Sequence, residues 1–558
     1  MSSYSGEPSS SSPFGAVPLA TSLEVASPSS GSGNGTSSPN AKRLKKSEER
    51  PPLSSTLAVY PFDPEMYREN RERVRAEVRR ALGLLSSEET CGGMLLLQGG
   101  DATCRDDTDH ENLFRQESCF AYLFGVKEPG PGVYGTIDVD TGKTTLYFPC
   151  LPPEYAVWMG KVRSLEDFCD EYKPDAAAYG EEICEKLKAC SPSVIYTTRG
   201  YNSDSHAYAK EATFKGIEQF RVDNGILYQA IVKCRVIKTE RELALLRHIN
   251  RISSEAHVWV MAHAEPNMRE FQLESMFQHW GYFRGGCRCC SYTSICGSGA
   301  NGAVLHYGHA GAPNWKVVHD GDMCLLDMGG EYRCYASDIT CSYPVNGKFT
   351  PDQRSIYETV LEVQWAVMRA MKPGVSYVDM HELSYRVMLT KLKELTGIVT
   401  GEIDDMMAVN LGAVFMPHGL GHFMGLDTHD VGGILKGYER PTKDGFKSLR
   451  CCRILEKGMV LTVEPGVYFN DYTLDKALKN PEQAKFLDRE VLERFRGFGG
   501  VRLEDDVIVT NTGIENMTIC PRTVADVEAV MRGDIVSLDD LYCPFVPDRN
   551  GSASGSCS

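Results

Sequence analysis

Acids set inside apolar strands constrain this chain more than any other feature of its sequence. Residues 323–326 form an apolar run that ends in Asp327 before Gly329 and Gly330, and residues 335–345 read as the returning strand, with Asp338 inside it. Residues 460–463 end in Glu464, where Pro465-Gly466 stops the run. Residues 501–509 carry Arg502, Glu504 and Asp506 on one face, with Val501, Leu503 and Val507 on the other. Four strands thus each deliver a carboxylate at a cost in solvation, so a fold that buries them must supply a counter-charge. Ten residues separate Asp327 from Asp338. A turn near Tyr332-Arg333 then sets the two directly opposite, with Cβ atoms ~5 Å apart. Either one of them is protonated or a cation lies between them.

A second cluster supplies nitrogen. His418 and His422 lie four apart in Pro417-His418-Gly419-Leu420-Gly421-His422, and His429-Asp430 follows. Glycine on either side removes side-chain bulk where a ligand approaches. Taken singly, each histidine also fits a plain hydrogen bond to loop backbone. Together, two Asp, two Glu and one His make a hard, oxygen-rich set suited to Mn2+, Co2+, Zn2+ or Mg2+, and unsuited to copper(I) or iron–sulfur chemistry. Four negative charges match two divalent ions. Ions ~3.5–4 Å apart share a hydroxide, lower its pKa and polarise the carbonyl that it attacks. The chemistry indicated is hydrolysis of an amide or ester.

The rest of the chain bounds the answer. Its 558 residues have room for two or three domains. A net charge of −16 disfavours nucleic acid and anionic lipid as partners, and no apolar run approaches the ~18 residues of a membrane span. Twenty cysteines, scattered without a secretory signal, read as reduced thiols in a cytosol. Residues 1–55, rich in Ser, Gly and Pro, are expected to form a disordered leader, with a plastid address as the alternative. Lys42, Arg43, Lys45 and Lys46 within it fit either a nuclear import signal or a solvated patch.

Residues 56–234 read as an α/β domain, with a helix over 64–84 and a hairpin of 134–139 with 144–148. Residues 235–535 read as an α+β domain. A capping box at Thr239 and Glu242 opens a helix that turns Leu243, Leu246, Ile249, Ile252, Ala256 and Val260 inward. Thr350, Pro351 and Gln353 open another that buries Ile356, Val360, Val363, Val367 and Met371 until Pro373-Gly374 stops it. Residues 536–558 are a polar tail. Gly297, Gly299 and Gly302 match a dinucleotide-binding spacing, but Ala303, Val304 and Leu305 read as a strand where a helix is required, so a loop is expected.

In this order, Asp327, Asp338, the run ending at His422, Glu464 before Pro-Gly, and Gly500-Val501-Arg502-Leu503-Glu504 resemble the metal set of the pita-bread aminopeptidases and prolidases. Residues 291–314, 327–342, 415–433 and 498–506 are most similar to the prolidases, the Xaa-Pro dipeptidases, and the likeness covers most of residues 60–535. Methionine aminopeptidases share the ligands without so large a preceding domain; creatinase shares the layout without the ligands.

The resemblance implies a creatinase/prolidase-like α/β N-terminal domain and a pita-bread α+β catalytic domain. It implies cleavage of Xaa-Pro dipeptides by a metal-bridging hydroxide. Asp327, Asp338, His422, Glu464 and Glu504 would hold two divalent ions, Mn2+ foremost, with Asp338 and Glu504 as bridges. Glu464 would also relay a proton to the leaving nitrogen. His306 and His429 would bind substrate and stabilise the oxyanion, and Arg450 would hold the proline carboxylate. His418 would line the inner wall, and Arg502 would support Glu504. A cytoplasmic homodimer is expected. Two alternatives stay open: aminopeptidase P-like removal of the first residue from longer Xaa-Pro peptides, and a non-catalytic pita-bread binding protein. Cys287, Cys289 and Cys290 fall outside the prolidase pattern and read as structural rather than as a soft-metal or redox site.

Overall fold

The computed structural model describes residues 59–308, 314–435, 437–535, and 537, 538, 541 and 545. The Ser-rich leader, its basic cluster and nearly all of the polar tail lie outside the described residues. Asp63 caps the helix Pro64–Ala81, which packs on a six-stranded sheet of β1 (Gly93–Gln98), β2 (Tyr134–Asp138), β3 (Thr144–Phe148), β4 (Ala176–Tyr179), β5 (Val194–Tyr196) and β6 (Val222–Asp223). The strand order is β4-β3-β2-β1-β5-β6. β2 and β3 form the expected hairpin, Tyr134 opposite Tyr147, while β3–β4, β1–β5 and β5–β6 run parallel, as helical crossovers require. This is the α/β layer anticipated from the sequence.

The helix Glu240–His263 starts with both halves of the Thr239/Glu242 capping box in place, and its apolar face is buried as the spacing predicts. Its first turns share a core with the N-terminal sheet through Leu243, Leu246 and Ile249. The box at Thr350 and Gln353 likewise opens Pro351–Ala370, whose inward residues are buried. These helices, with Glu270–Gly285 and Tyr377–Leu395, back a set of short antiparallel strands. They are β7 (Cys289–Cys290), β8 (Ile295–Ser298), β9 (Met323–Asp327), β10 (Gly330–Tyr332), β11 (Tyr335–Ala336), β12 (Thr340–Pro344), β13 (Val460–Val463), β14 (Gly466–Tyr468), β15 (Gly500–Arg502), β16 (Asp505–Val509) and β17 (Ile514–Asn516). β11-β10-β7, β12-β9-β8 and β13-β16-β17 are three-stranded groups, the last two bridged where Thr340 meets Glu504. No described helix is long and apolar enough to cross a membrane.

Three local expectations are corrected. The turn of the aspartate hairpin lies one residue later than expected, at Arg333-Cys334, both with positive φ. A two-residue turn of this kind matches strand twist, and it pairs Asp327 with Thr340 rather than Asp338. Asp338 stays on the same face, diagonal to Asp327, in a break between β11 and β12. Second, the strand expected over 501–509 is interrupted between β15 and β16, and Glu504 sits in the gap with its N–H on Thr340 O at 3.2 Å. Of the four acids only Asp327 lies within a strand; Asp338, Glu464 and Glu504 lie at strand junctions. Third, no strand forms at Ala303, Val304 and Leu305. β8 leads into a 3-10 turn, Gly299–Ala303, so the glycine run makes a tight turn and not a dinucleotide-binding helix start. No disulfide forms among the described cysteines.

Candidate metal centre

The strand junctions converge. A cavity of about 410 Å³ is lined by Asp327, Asp338, His422, Glu464 and Glu504 together with His306, His418, His429, Arg450 and Arg502. Every residue singled out from the sequence therefore reaches one space. The donor atoms of Asp338, His422 and Glu504 lie within 4.8 Å of one another. His422 Nε2 is 3.4 Å from Asp338 Oδ2 and 3.5 Å from Glu464 Oε1.

Backbone and hydroxyl groups aim these side chains. The N–H of Asp338 donates to Asp506 Oδ2 at 2.9 Å. Glu504 Oε2 accepts from Thr340 Oγ1 at 2.6 Å. The N–H of His422 donates to Thr462 Oγ1, and its ring Nδ1 donates to Phe423 O at 3.0 Å. That bond leaves Nε2 facing two acids; burial opposes a charge on the ring, but Asp338 and Glu464 raise His422 above the ordinary imidazole value. Asp327 is held from outside the cluster: Tyr292 Oη donates to Oδ1 at 2.5 Å and Arg502 Nη2 to Oδ2 at 2.6 Å. Arg502 pairs directly with Asp327 and, as expected, also supports Glu504 by charge, opposing the rise of that carboxyl. Its Nε donates to Thr340 Oγ1 at 3.1 Å, the hydroxyl that in turn holds Glu504.

A hydrogen-bonded chain continues from Arg502 Nη1 to Tyr468 Oη at 2.9 Å and from that hydroxyl to His418 Nε2 at 2.9 Å. His418 Nδ1 donates to Gly419 O, so this histidine is a braced wall. Burial, then Arg502, holds it at about 3, neutral at ordinary pH. Burial, then His422 and Arg450, lowers His429 to about 2. Glycine is required at the centre: a Cβ at Gly421 would lie 2.3 Å from Thr462 O.

Electrostatics test whether a cation fits. Burial, with Asp338 nearby and against the pull of Arg502, raises Asp327 to about 6. Burial, opposed by His422 and Arg502 and assisted by Asp338 and Asp327, raises Glu464 to about 7. Glu504 is pushed well above the carboxylate range by burial and then by Asp338, Glu464 and Asp327. Asp338 alone is lowered: contacts from His422 overcome its burial. Its Oδ1 is buried with no hydrogen-bond partner. Crowded acids, an orphaned carboxylate oxygen and an imidazole nitrogen aimed among them fit a divalent cation, which would take the place of the imidazole proton.

The sequence reading missed the aiming groups. Thr340 lies two residues after Asp338, and Thr462 two before Glu464, so the strand period was an available signal. Asp506 is placed on the face of Glu504 by that same period, whereas Tyr292 and Tyr468 had no signal beyond their neighbourhood.

Residues 67–196 match the family described as "Aminopeptidase P, N-terminal domain", and residues 244–511 match "Metallopeptidase family M24". Human Xaa-Pro dipeptidase is 55% identical over 85% of this chain and 94% of its own length. The chain belongs to metallopeptidase family M24. Among other M24 relatives, a probable Xaa-Pro aminopeptidase of Phaeosphaeria nodorum is 35% identical over 79% of this chain and 92% of its own length. Zinc-substituted aminopeptidase P from Escherichia coli, solved in complex with product, superimposes with a TM-score of 0.67 at 28% identity, covering 86% of this chain and all of that one. The aminopeptidase of Pseudomonas aeruginosa gives the same TM-score, over 85% of this chain and 98% of that one. The M24 catalytic half has the pita-bread fold that the sequence resemblance implies, behind an aminopeptidase P-type N-terminal domain.

Proposed function

We propose that this M24 protein is an Xaa-Pro dipeptidase, with an N-terminal domain over residues 56–234 and a catalytic domain over residues 235–535. The observation that carries the reading is the convergence of Asp327, Asp338, His422, Glu464 and Glu504 on a cavity that also holds His306, His429 and Arg450. The identity to human Xaa-Pro dipeptidase over nearly the whole of that protein supports the substrate class.

Asp327, Asp338, His422, Glu464 and Glu504 would hold two divalent cations, Mn2+ foremost, with Asp338 and Glu504 shared between them. Four carboxylates, with the Arg502 guanidinium paired among them and Arg450 answered by Asp204, leave three negative charges, more than one dication neutralises. When bound, such ions supply Lewis acidity and an activated water. Arg450 binds the carboxylate of the C-terminal proline, which supplies the anchor that a tertiary amide without N–H lacks. His429, neutral at any working pH, donates a hydrogen bond without bringing a charge, and His306 lines the same space. Both stabilise the developing oxyanion. Glu464, whose Oε1 stands 3.5 Å from His422 Nε2 at the wall of the cavity, passes a proton to the departing nitrogen. His418 shapes the wall.

A cytoplasmic homodimer is part of the reading. Val157, Trp158 and Met159 stand 78%, 85% and 69% exposed in succession, an apolar run of the kind that a partner covers. The test is turnover of Gly-Pro against Arg-Pro-Pro after chelation and re-addition of Mn2+. A dipeptidase prefers Gly-Pro and needs the metal; preference for the longer peptide establishes aminopeptidase P activity instead, and loss of neither activity on chelation ends the metallopeptidase reading.

A further inference from the structure

Arg450 lines the cavity close enough to His429 to depress its basicity, and its charge is answered by one carboxylate among the described residues. That carboxylate is Asp204, which comes from the N-terminal region, whereas every lining residue of the cavity lies beyond residue 290. Asp204 Oδ2 is 3.8 Å from Arg450 Nε, and Asp204 Oδ1 accepts from Arg440 Nη2 at 2.9 Å. One acid is therefore shared by two guanidiniums. Arg450 Nε is buried and has no hydrogen-bond acceptor, since 3.8 Å is too long for a hydrogen bond. Asp204 anchors Arg450 by charge and leaves its donors uncommitted.

Asp204 is itself held from behind. Asn202 Oδ1 accepts from the N–H groups of Asp204 at 2.8 Å and Ser205 at 3.1 Å, an Asx turn that presents the acid. Tyr201 and Tyr208 bridge the base of this loop, and Tyr201 Oη bonds His206 Nδ1 at 2.8 Å. The acid is thus delivered by a braced tip rather than by a free loop.

We propose that Asp204 is a positioning residue that sets the length of peptide accepted. Held by Asp204, the Arg450 guanidinium stays across the end of the cavity. A free carboxylate on the second residue meets a fixed cation there, and a chain that continues past it meets a barrier that does not swing aside. This inference rests on the dipeptidase reading above.

The test uses full-length, Mn2+-loaded enzyme with Gly-Pro and Gly-Pro-Gly, kcat and KM being measured separately. Asp204→Asn is expected to raise KM for Gly-Pro about fivefold and to lower the preference for Gly-Pro over Gly-Pro-Gly by a similar factor, with kcat for Gly-Pro the less affected term. Asp204→Glu should restore both in large part. Arg440→Ala, which frees the acid from its second partner, should erode the preference in the same direction and serves if the asparagine variant does not fold. An unchanged preference in folded Asp204→Asn overturns the inference alone, as does an equal loss of kcat on both peptides, which marks an inert strut. Wild-type enzyme that hydrolyses neither peptide overturns this inference and the dipeptidase reading together.

Discussion

Asp338 is the residue on which the site turns. Its N–H is fixed by Asp506, one oxygen faces His422 Nε2, and the other is buried without a partner. Asp338→Asn keeps the shape and removes the charge. Its turnover of Gly-Pro is expected to fall by a factor on the order of 1,000 or more, with a matching loss of bound metal by elemental analysis. Retained metal and activity would remove Asp338 from the site. The metal-depleted protein carries a second signature. Asp327 and Glu464 are held at about 6 and about 7, chiefly by burial, whereas in the unfolded chain they titrate near 4. Between those limits the folded state binds the extra protons, so stability contributed by these groups is greatest below pH ~4 and is lost as pH rises through about 7. Chelated wild type should thus lose thermal stability from pH 4.5 to 7.5 relative to Glu464→Gln, and Mn2+ should abolish the difference. A chelated wild type that gains stability relative to the variant over this range would contradict the crowding of acids.

At the scale of elements, the aspartate hairpin shows what a sequence can and cannot specify. Apolar runs, capping boxes and the acids themselves were legible, because a buried face and a helix start impose period and spacing on the residues that make them. The acid set was found for the same reason, His418, His422 and His429 from their glycine-flanked cluster, and His306 only through the family resemblance; each lines the cavity. The turn position was not legible. Nothing in Tyr332, Arg333 and Cys334 favours positive φ, and only tertiary packing selects Arg333-Cys334. A shift of one residue in that turn changed the partner of Asp327 from Asp338 to Thr340. Glu504 in the gap after β15 was hidden because the strand pattern continues through the break. Gly329 secures the observed register: a Cβ there would lie 1.8 Å from Ser337 O. Gly329→Ala is expected to cost about 2–4 kcal/mol in denaturant unfolding and to weaken metal retention, as the two aspartates are prised out of register. An alanine variant with wild-type stability and metal content would show that the hairpin tolerates a different path.

Across the whole molecule, charge ties the N-terminal region to the catalytic half. Arg115 Nε donates to Glu331 Oε2 at 2.7 Å and its Nη2 to Leu426 O, also at 2.7 Å. Arg235, the first residue of the catalytic half and 3.9 Å from Cys119 Sγ of the other, pairs with Asp427, which Arg115 also reaches, at 2.8 Å and with Asp430 at 2.5 Å, and Lys238 reaches the other oxygen of Asp430 at 3.0 Å. These acids flank His429, so the ion network that joins the halves also frames one wall of the cavity. Surface ion pairs of this number would contribute little, but Arg235 and Asp430 are almost wholly removed from water, and removing one partner strands the other. Arg235→Ala leaves Asp430 with Lys238 alone and Asp427 with Arg115. It is expected to cost about 3 kcal/mol in denaturant unfolding. It should also raise KM for Gly-Pro, because the segment bearing His429 loses its anchor while the metal ligands keep theirs. The two readouts separate the roles. A stability loss with unchanged KM would confine the network to holding the halves together. A KM rise that persists when assays are run far below the unfolding transition would show that the junction also sets the pocket.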